Sequence, residues 1–395
     1  MTTPSLTDLL ASLPEFRERL DSIVTETRAF DVFRRIADTY APTLTVSRTR
    51  APVLKRILDE AMQEGLYADE IDFTPSCRGT GVAVARLGSA PRSPVWSVAH
   101  LDNISFLTGP GWKGEYPLTP FCQSRLTPGK RPAVALDLAD PARPAHIVAS
   151  GHIATAERSP GSLEPEHRFV TDCADLPLAT RVCFASTAEW DRTTGMVYGC
   201  IDNAACASAQ LLAALVVRPY QPNVNILWTD EEEGVVDMGP PTFARAASRL
   251  VLRTPLDRMP ELVFVSDIQD LDFATDVDVD DPACFGRGAA MEAFTSRTRG
   301  TATPPLLLGG MRNLFAEMET IGVRVLEQGR YLNRNDDVAM TMATPNIVHL
   351  CCPGAFTHFQ GRPRVHVADI VHLAKALACL WMVTHSDDWR ANFTR

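Results

Sequence analysis

From Leu6 to Leu66 apolar residues return at three- and four-residue steps. Leu6 to Leu20, Phe30 to Tyr40 and Pro52 to Leu66 each carry such a stripe, the last through Val53, Ile57, Ala61 and Met62, and each predicts a helix. The period then shortens. Val82, Val84 and Val95 to Ala99 lie in β-branched runs bounded by Gly81, Gly88 and Pro94, which predicts strands. From Gly109 to Thr194, Pro, Gly, Thr and Arg are frequent and the apolar runs are short (AVALDL, AHIVASGHIA, RVCFAS), so this stretch reads as strands and turns without a helical stripe. Beyond Gly195 helices are predicted at Ala204 to Val217, Pro241 to Leu252, Leu306 to Ile321 and Ala368 to Thr384. Strands at Val224 to Trp228, Leu262 to Val265, Val323 to Leu326 and Ile347 to Leu350 fall among them. The alternation predicts an α/β fold, a mostly parallel sheet with helices on both faces. The larger, catalytic-size domain would be built from 1–108 and 195–395, with a small all-β domain inserted at 109–194.

Composition bounds the partners more than the fold. Of 395 residues, 45% are apolar and 22% charged, which is ample for a folded core. The formal charge of -10 disfavours nucleic acid and anionic membranes as partners. Asp8, Glu15 and Glu18 interrupt the N-terminal apolar residues, so no signal peptide is read there, and no apolar run reaches membrane-spanning length. The expected location is cytoplasmic. The 10 cysteines are scattered, most within apolar runs and none in a C-x-x-C pair, so they read as reduced core thiols.

In open α/β sheets ligands bind beyond the carboxyl ends of the strands. There the chain places His100-Leu101-Asp102 after VWSVA, Thr229 to Gly234 with Glu231-Glu232-Glu233 after VNILW, and Ser266-Asp267 after LVFV. Asp202 precedes a predicted helix, and His358 follows the last predicted strand. Alone, each has a plainer explanation: a surface pair, a solvated acidic turn, a helix cap, a buried histidine. Together they form a nitrogen and oxygen donor set suited to one or two divalent ions, Zn, Mn or Co, with positions left open for water. Two ions about 3.5 to 4 Å apart could share one carboxylate and activate both water and the substrate oxygen.

The segment His100-Leu101-Asp102-Asn103-Ile104-Ser105-Phe106 resembles the H-x-D-x-I-x-F motif of the dinuclear tetrahedral aminopeptidases, the group of glutamyl and deblocking aminopeptidases within the zinc aminopeptidase and carboxypeptidase superfamily. Asp202, Glu231-Glu232-x-Gly234, Asp267 and His358 continue the order, and the inserted β segment lies where that family has one. The resemblance implies one ion held by His100, Asp202 and Asp267 and another by Asp202, Glu232 and His358. Glu231 would be the general base, Asp102 would orient His100, and the peptide after Asp202 would be cis. It also implies a homo-oligomer.

The surroundings depart from the family pattern. RGTGVAV stands where the family has glycine-asparagine, Phe356-Thr357 where it has Arg-Tyr, and Asn103 where it has an acidic residue. The leading reading is a metal-dependent hydrolase of a carbon-nitrogen bond using activated water and a Glu base, aminopeptidase-like, acting on a short peptide. Its rival is a non-peptide amidohydrolase, or a deaminating hydrolase of a small aromatic amine like nitroanthranilate aminohydrolase. A small anionic substrate calls for an arginine fork, for which Arg287 and Arg334, with Arg362 and Arg364, are candidates. A scaffold that has lost catalysis is a third reading.

Overall fold

A computed structural model describes residues 6–122, 126–138, 140, 145–157, 165–234, 243–274, 277–296, 300–329 and 332–385. The chain opens with α1 (Leu6–Ser12), α2 (Pro14–Ile23), α3 (Glu26–Ala37) and α4 (Arg50–Gln63). The single helix expected from Leu6 to Leu20 is broken at Leu13, because Pro14 cannot donate the backbone hydrogen bond that continuation requires and instead starts a new helix. Strands β1 (Asp72–Thr74), β2 (Ala83–Arg86) and β3 (Val95–His100) then enter the main sheet.

The next strands leave it. β4 (Ser105–Thr108), β5 (Glu115–Pro120), β6 (Gly129–Asp137), β7 (His146–Thr155), β8 (His167–Thr171) and β9 (Arg181–Phe184) close into a barrel in the order β4-β5-β8-β7-β6-β9. Closure leaves no open sheet edge, and the interior is filled by Phe106, Tyr116, Ile153, Phe169, Val182 and Phe184. Phe359 packs on this core and stacks on Phe184 at 4.4 Å between ring centroids, so the loop carrying His358 is tied to the barrel.

The chain returns through β10 (Glu189–Trp190), β11 (Met196–Tyr198), α5 (Ala204–Val217), β12 (Val224–Thr229), α6 (Arg245–Arg253), β13 (Leu262–Val265), β14 (Ile268–Asp270) and β15 (Ala289–Glu292). It ends with α7 (Pro305–Thr320), β16 (Val325–Glu327), α8 (Asp337–Met340), β17 (Ile347–Ala355), β18 (Arg364–His366) and α9 (Val367–Val383). The sheet is mixed rather than mostly parallel. Its centre, β12-β3-β13-β17, is parallel, but β1, β2, β18, β11 and β10 flank it with antiparallel pairings. Most of these flanking strands are too short for an apolar pattern to reveal them. Nine-residue β17 is the spine: it pairs with β13, then β15, then β14 and finally β18.

Successive residues on β3 enter different cores, as the pleat requires. Val95 and Ala99 join Leu20, Phe33, Leu211 and Leu377, whereas Trp96 and Val98 join Ala247, Leu250 and Met340. Helix α5 is buried along its whole length, and its many alanines let neighbouring elements approach closely. All 10 cysteines are free thiols, though Cys77, Cys173, Cys200 and Cys284 are only partly buried. Among the described residues no helix is long and apolar enough to cross a membrane.

Candidate metal centre

Strand register brings the first residues together. β12 and β13 pair in parallel on either side of β3, with Thr229 opposite His100 and Val265 opposite Val98. The residues just past β12 and β13 therefore emerge beside His100. Asp202 arrives from another direction, on the turn between β11 and α5, where the Asp202-Asn203 peptide is cis and Asn203 Nδ2 donates to the Ser266 carbonyl at 2.8 Å. The fully buried Arg50 donates through Nη1 to the carbonyl of Leu101 at 2.8 Å, fixing the backbone between His100 and Asp102.

His100 Nε2 lies 2.9 Å from Asp202 Oδ1, 3.6 Å from Asp267 Oδ1 and 3.8 Å from Glu232 Oε2. Donor atoms of His100, Asp202 and Asp267 all fall within 4.8 Å of one another, as do those of Cys122, Glu233 and His358. Asp102 stands 3.6 Å from His100 Nδ1 and accepts from the backbone N–H of Glu232 at 3.2 Å and of Glu233 at 3.3 Å, with the Thr43 hydroxyl donating at 2.9 Å. It thus holds the acidic turn and lies beside the histidine.

The electrostatics fit cations. Burial drives the carboxyls of Glu232, Glu233 and Asp267 above their usual range, and the neighbouring carboxylates add to the effect. Burial opposes protonation of His100, yet Glu232, Asp102, Asp202 and Asp267 together hold its pKa well above the ordinary value. Asp336, which accepts from the Thr229 hydroxyl, is pushed up to about 7 by burial. His100 Nδ1 and Glu233 Oε1 are buried without hydrogen-bond partners. Buried anions crowded around one imidazole, with orphaned donor atoms among them, are costly unless positive charge is bound there.

The acidic residues after β12 face different partners. Asp230 does not point at the cluster. Its carboxylate accepts from the N–H groups of Leu44 at 2.8 Å and Val46 at 3.0 Å, and from Glu231 N–H at 2.8 Å. Glu231 has φ 61° and pairs with Arg249, while Glu232 and Glu233 face the cluster. His358 sits beside Glu233 with its backbone N–H on Gln360 Oε1 at 3.0 Å.

The structure disperses the arginine candidates. Arg287 is exposed. Arg334 lies 5.7 Å from the Phe243 ring centroid. Arg362 pairs with Glu189 and Arg364 with Asp280, each at 2.6 Å. Arg245, which the sequence did not single out, lines a cavity of about 190 Å³ with Glu231, Glu233, Leu107, Thr119 and Phe121, and its Nε is buried without a partner. Cys122 was not singled out by the sequence either, and Glu233 was noted only within the acidic run, without a role of its own. An arginine opening the helix after the acidic loop is a usable signal in hindsight; nothing local marks Cys122.

No protein-family model matches the chain, nor does any curated protein. Solved structures do. The TET1 peptidase of Pyrococcus horikoshii, described as assembling into a tetrahedron or a large octahedral shell, superposes with a TM-score of 0.63 at 16% identity, covering 89% of this chain and 98% of that one. An aminopeptidase from the archaeon Desulfurococcus kamchatkensis gives 0.66 at 14% identity over 90% and 97%. An M18-family aminopeptidase from Thermotoga maritima gives 0.57 at 14% over 88% and 94%. At these identities the likeness is one of fold.

Proposed function

We propose that the chain is a divalent-metal-dependent hydrolase of a carbon-nitrogen bond, aminopeptidase-like in chemistry. The observation that carries this reading is the pair of adjacent donor groups, His100-Asp202-Asp267 and Cys122-Glu233-His358, gathered from separate strand ends and loops. These residues would hold one or two ions, Zn, Mn or Co, whose positive charge would activate water and polarise the scissile carbonyl. Asp202, in contact with His100 and close enough to Glu233 to raise its pKa, is placed to serve both groups.

Glu232 is the base this geometry favours. It is buried, directed at the first donor group and independent of Arg249, so its carboxylate can take a proton from the attacking water and pass it to the leaving nitrogen. Glu233 then serves as ligand, and Glu231 holds Arg249. These assignments fall one residue later than the family motif implies.

Arg245 favours a substrate that carries a carboxylate near the scissile bond, since its guanidinium lines the cavity beside Glu233 with a buried, unpartnered Nε, and a guanidinium matches a carboxylate in two-point geometry. A dipeptide, an N-acylated amino acid and an aryl carboxylate all satisfy this. Metal-stripped protein reloaded with Zn, Mn or Co should be assayed on aminoacyl nitroanilides, acylated amino acids and aromatic amines. Metal-dependent release of amine supports the reading, and equal rates with and without metal overturn it. We also infer a closed homo-oligomer, supported by the exposure of Trp112 and Leu178 on the barrel; sedimentation at one chain mass would refute this.

A further inference from the structure

We propose that Cys122 is a thiolate ligand, so that the second cation position is a mixed Cys-Glu-His site rather than one of oxygen and nitrogen donors alone. This rests on the metallohydrolase reading above and deepens it.

Cys122 lies two residues past β5, on the barrel, and is 6% exposed. Its Sγ, a Glu233 carboxylate oxygen and a His358 ring nitrogen lie within 4.8 Å of one another. The three come from the barrel, the end of β12 and the loop after β17, so folding rather than local sequence assembles them. A second observation points to a ligand: Glu233 is 3% exposed, yet its Oε1 has no hydrogen-bond partner among the described residues, leaving a buried acceptor atom in the group. The other fully buried cysteines contrast with it. Cys206, Cys352 and Cys379 sit within the main apolar core and Cys183 and Cys351 in small apolar clusters, whereas Cys122 belongs to none of the apolar clusters among the described residues.

The donor chemistry follows. One thiolate, one imidazole and one carboxylate, with the fourth position left to Asp202 or to water, make a tetrahedral donor set that suits Zn or Co and disfavours Mn. Binding displaces the thiol proton to solvent, so no co-reactant is needed. The first group, with one imidazole and two carboxylates, has no sulfur. The two positions should therefore differ in metal preference, and the barrel should become anchored to the main sheet through the ion.

Cobalt(II) titration of the full-length protein tests this. The wild type should show a thiolate-to-cobalt charge-transfer band in the near ultraviolet that grows with one equivalent only. Cys122→Ser should lose that band and bind that equivalent at least tenfold more weakly. Glu233→Gln should weaken the same equivalent while leaving the other in place. Cobalt binding by the wild type without a charge-transfer band overturns the proposal and leaves the metallohydrolase reading standing. Persistence of the band in Cys122→Ser also overturns it and assigns the sulfur to another cysteine. Absence of any cobalt binding overturns both. The band in the wild type needs no variant, so a misfolded Cys122→Ser does not rescue or spare the idea.

Discussion

Substituting Gln at Glu231 and at Glu232, separately, divides the roles of two adjacent carboxylates. Glu232 Oε2 is 3.8 Å from His100 Nε2, a separation at which opposite charges attract by about 4 kcal/mol at an effective dielectric of ~20. In the metal-stripped protein that attraction is opposed by burial of the carboxylate and by repulsion from Asp267 and Glu233, so Glu232→Gln should change folding stability little. Its effect on turnover should be large. Losing a general base costs about 10²- to 10⁴-fold, or roughly 3 to 5 kcal/mol on the barrier. Glu231→Gln instead weakens an ion pair whose Arg249 side chain is 35% exposed, worth about 1 kcal/mol after solvent screening, and should lower turnover less than tenfold. Initial rates at saturating metal, metal content per chain and thermal unfolding, measured for both variants, separate the outcomes. If Glu231→Gln loses two orders of magnitude with its metal intact while Glu232→Gln stays within tenfold of wild type, the reasoning from side-chain direction is wrong.

Asp102→Asn replaces an acceptor of two backbone N–H groups with a side chain that can accept through one oxygen only, and metal affinity should fall about 10- to 100-fold in a competitive chelator titration. Unchanged affinity would deny Asp102 its positioning role. Arg245→Ala should raise KM at least tenfold for a carboxylate-bearing substrate and leave KM for its amide analogue nearly unchanged; equal effects on the two would exclude carboxylate recognition. In metal-stripped protein the buried carboxyls titrate above their unfolded values, with Asp336 at about 7, so these groups bind more protons in the folded state than in the unfolded one and outnumber the buried histidines His167 and His372, whose lowered values act in the opposite sense. Stability should therefore fall as pH rises from about 4 through 7, a slope that denaturant melts at stepped pH would read and that rising stability would contradict.

The parts of the site that could be read from sequence share one cause. A buried strand is apolar along its length and must end where the chain meets water, so polar residues at the ends of VWSVA and LVFV mark the working edge of a sheet. His100 and Asp267 were visible for that reason, and parallel pairing of β3 with β13 brings them level. The same reasoning fails where the relevant partner is distant. The acidic run offers three equivalent glutamates. Which of them faces the cluster depends on Asp230, whose carboxylate reaches across 186 and 184 residues of sequence to cap Leu44 and Val46, and on the left-handed backbone at Glu231. Local pattern contains neither contact.

The sheet's flanks escaped notice for a related reason. β1, β11 and β18 have three residues each, too few to establish a period. The mixed character of the sheet was therefore hidden although its parallel centre was evident. The barrel presents the same problem at the level of chemistry. Its own strands are predictable one by one, but the approach of Cys122 to Glu233 and His358 requires the barrel to be docked, and that docking runs through Phe359, which stacks on Phe184, and through Arg131, whose Nε donates to the Phe359 carbonyl at 2.6 Å. A motif carried by strands of one sheet transfers across widely diverged chains because the sheet dictates its geometry. A residue supplied by an inserted domain depends on the docking contacts, which is why the approach of Cys122 to Glu233 and His358 cannot be read from the strand ends alone.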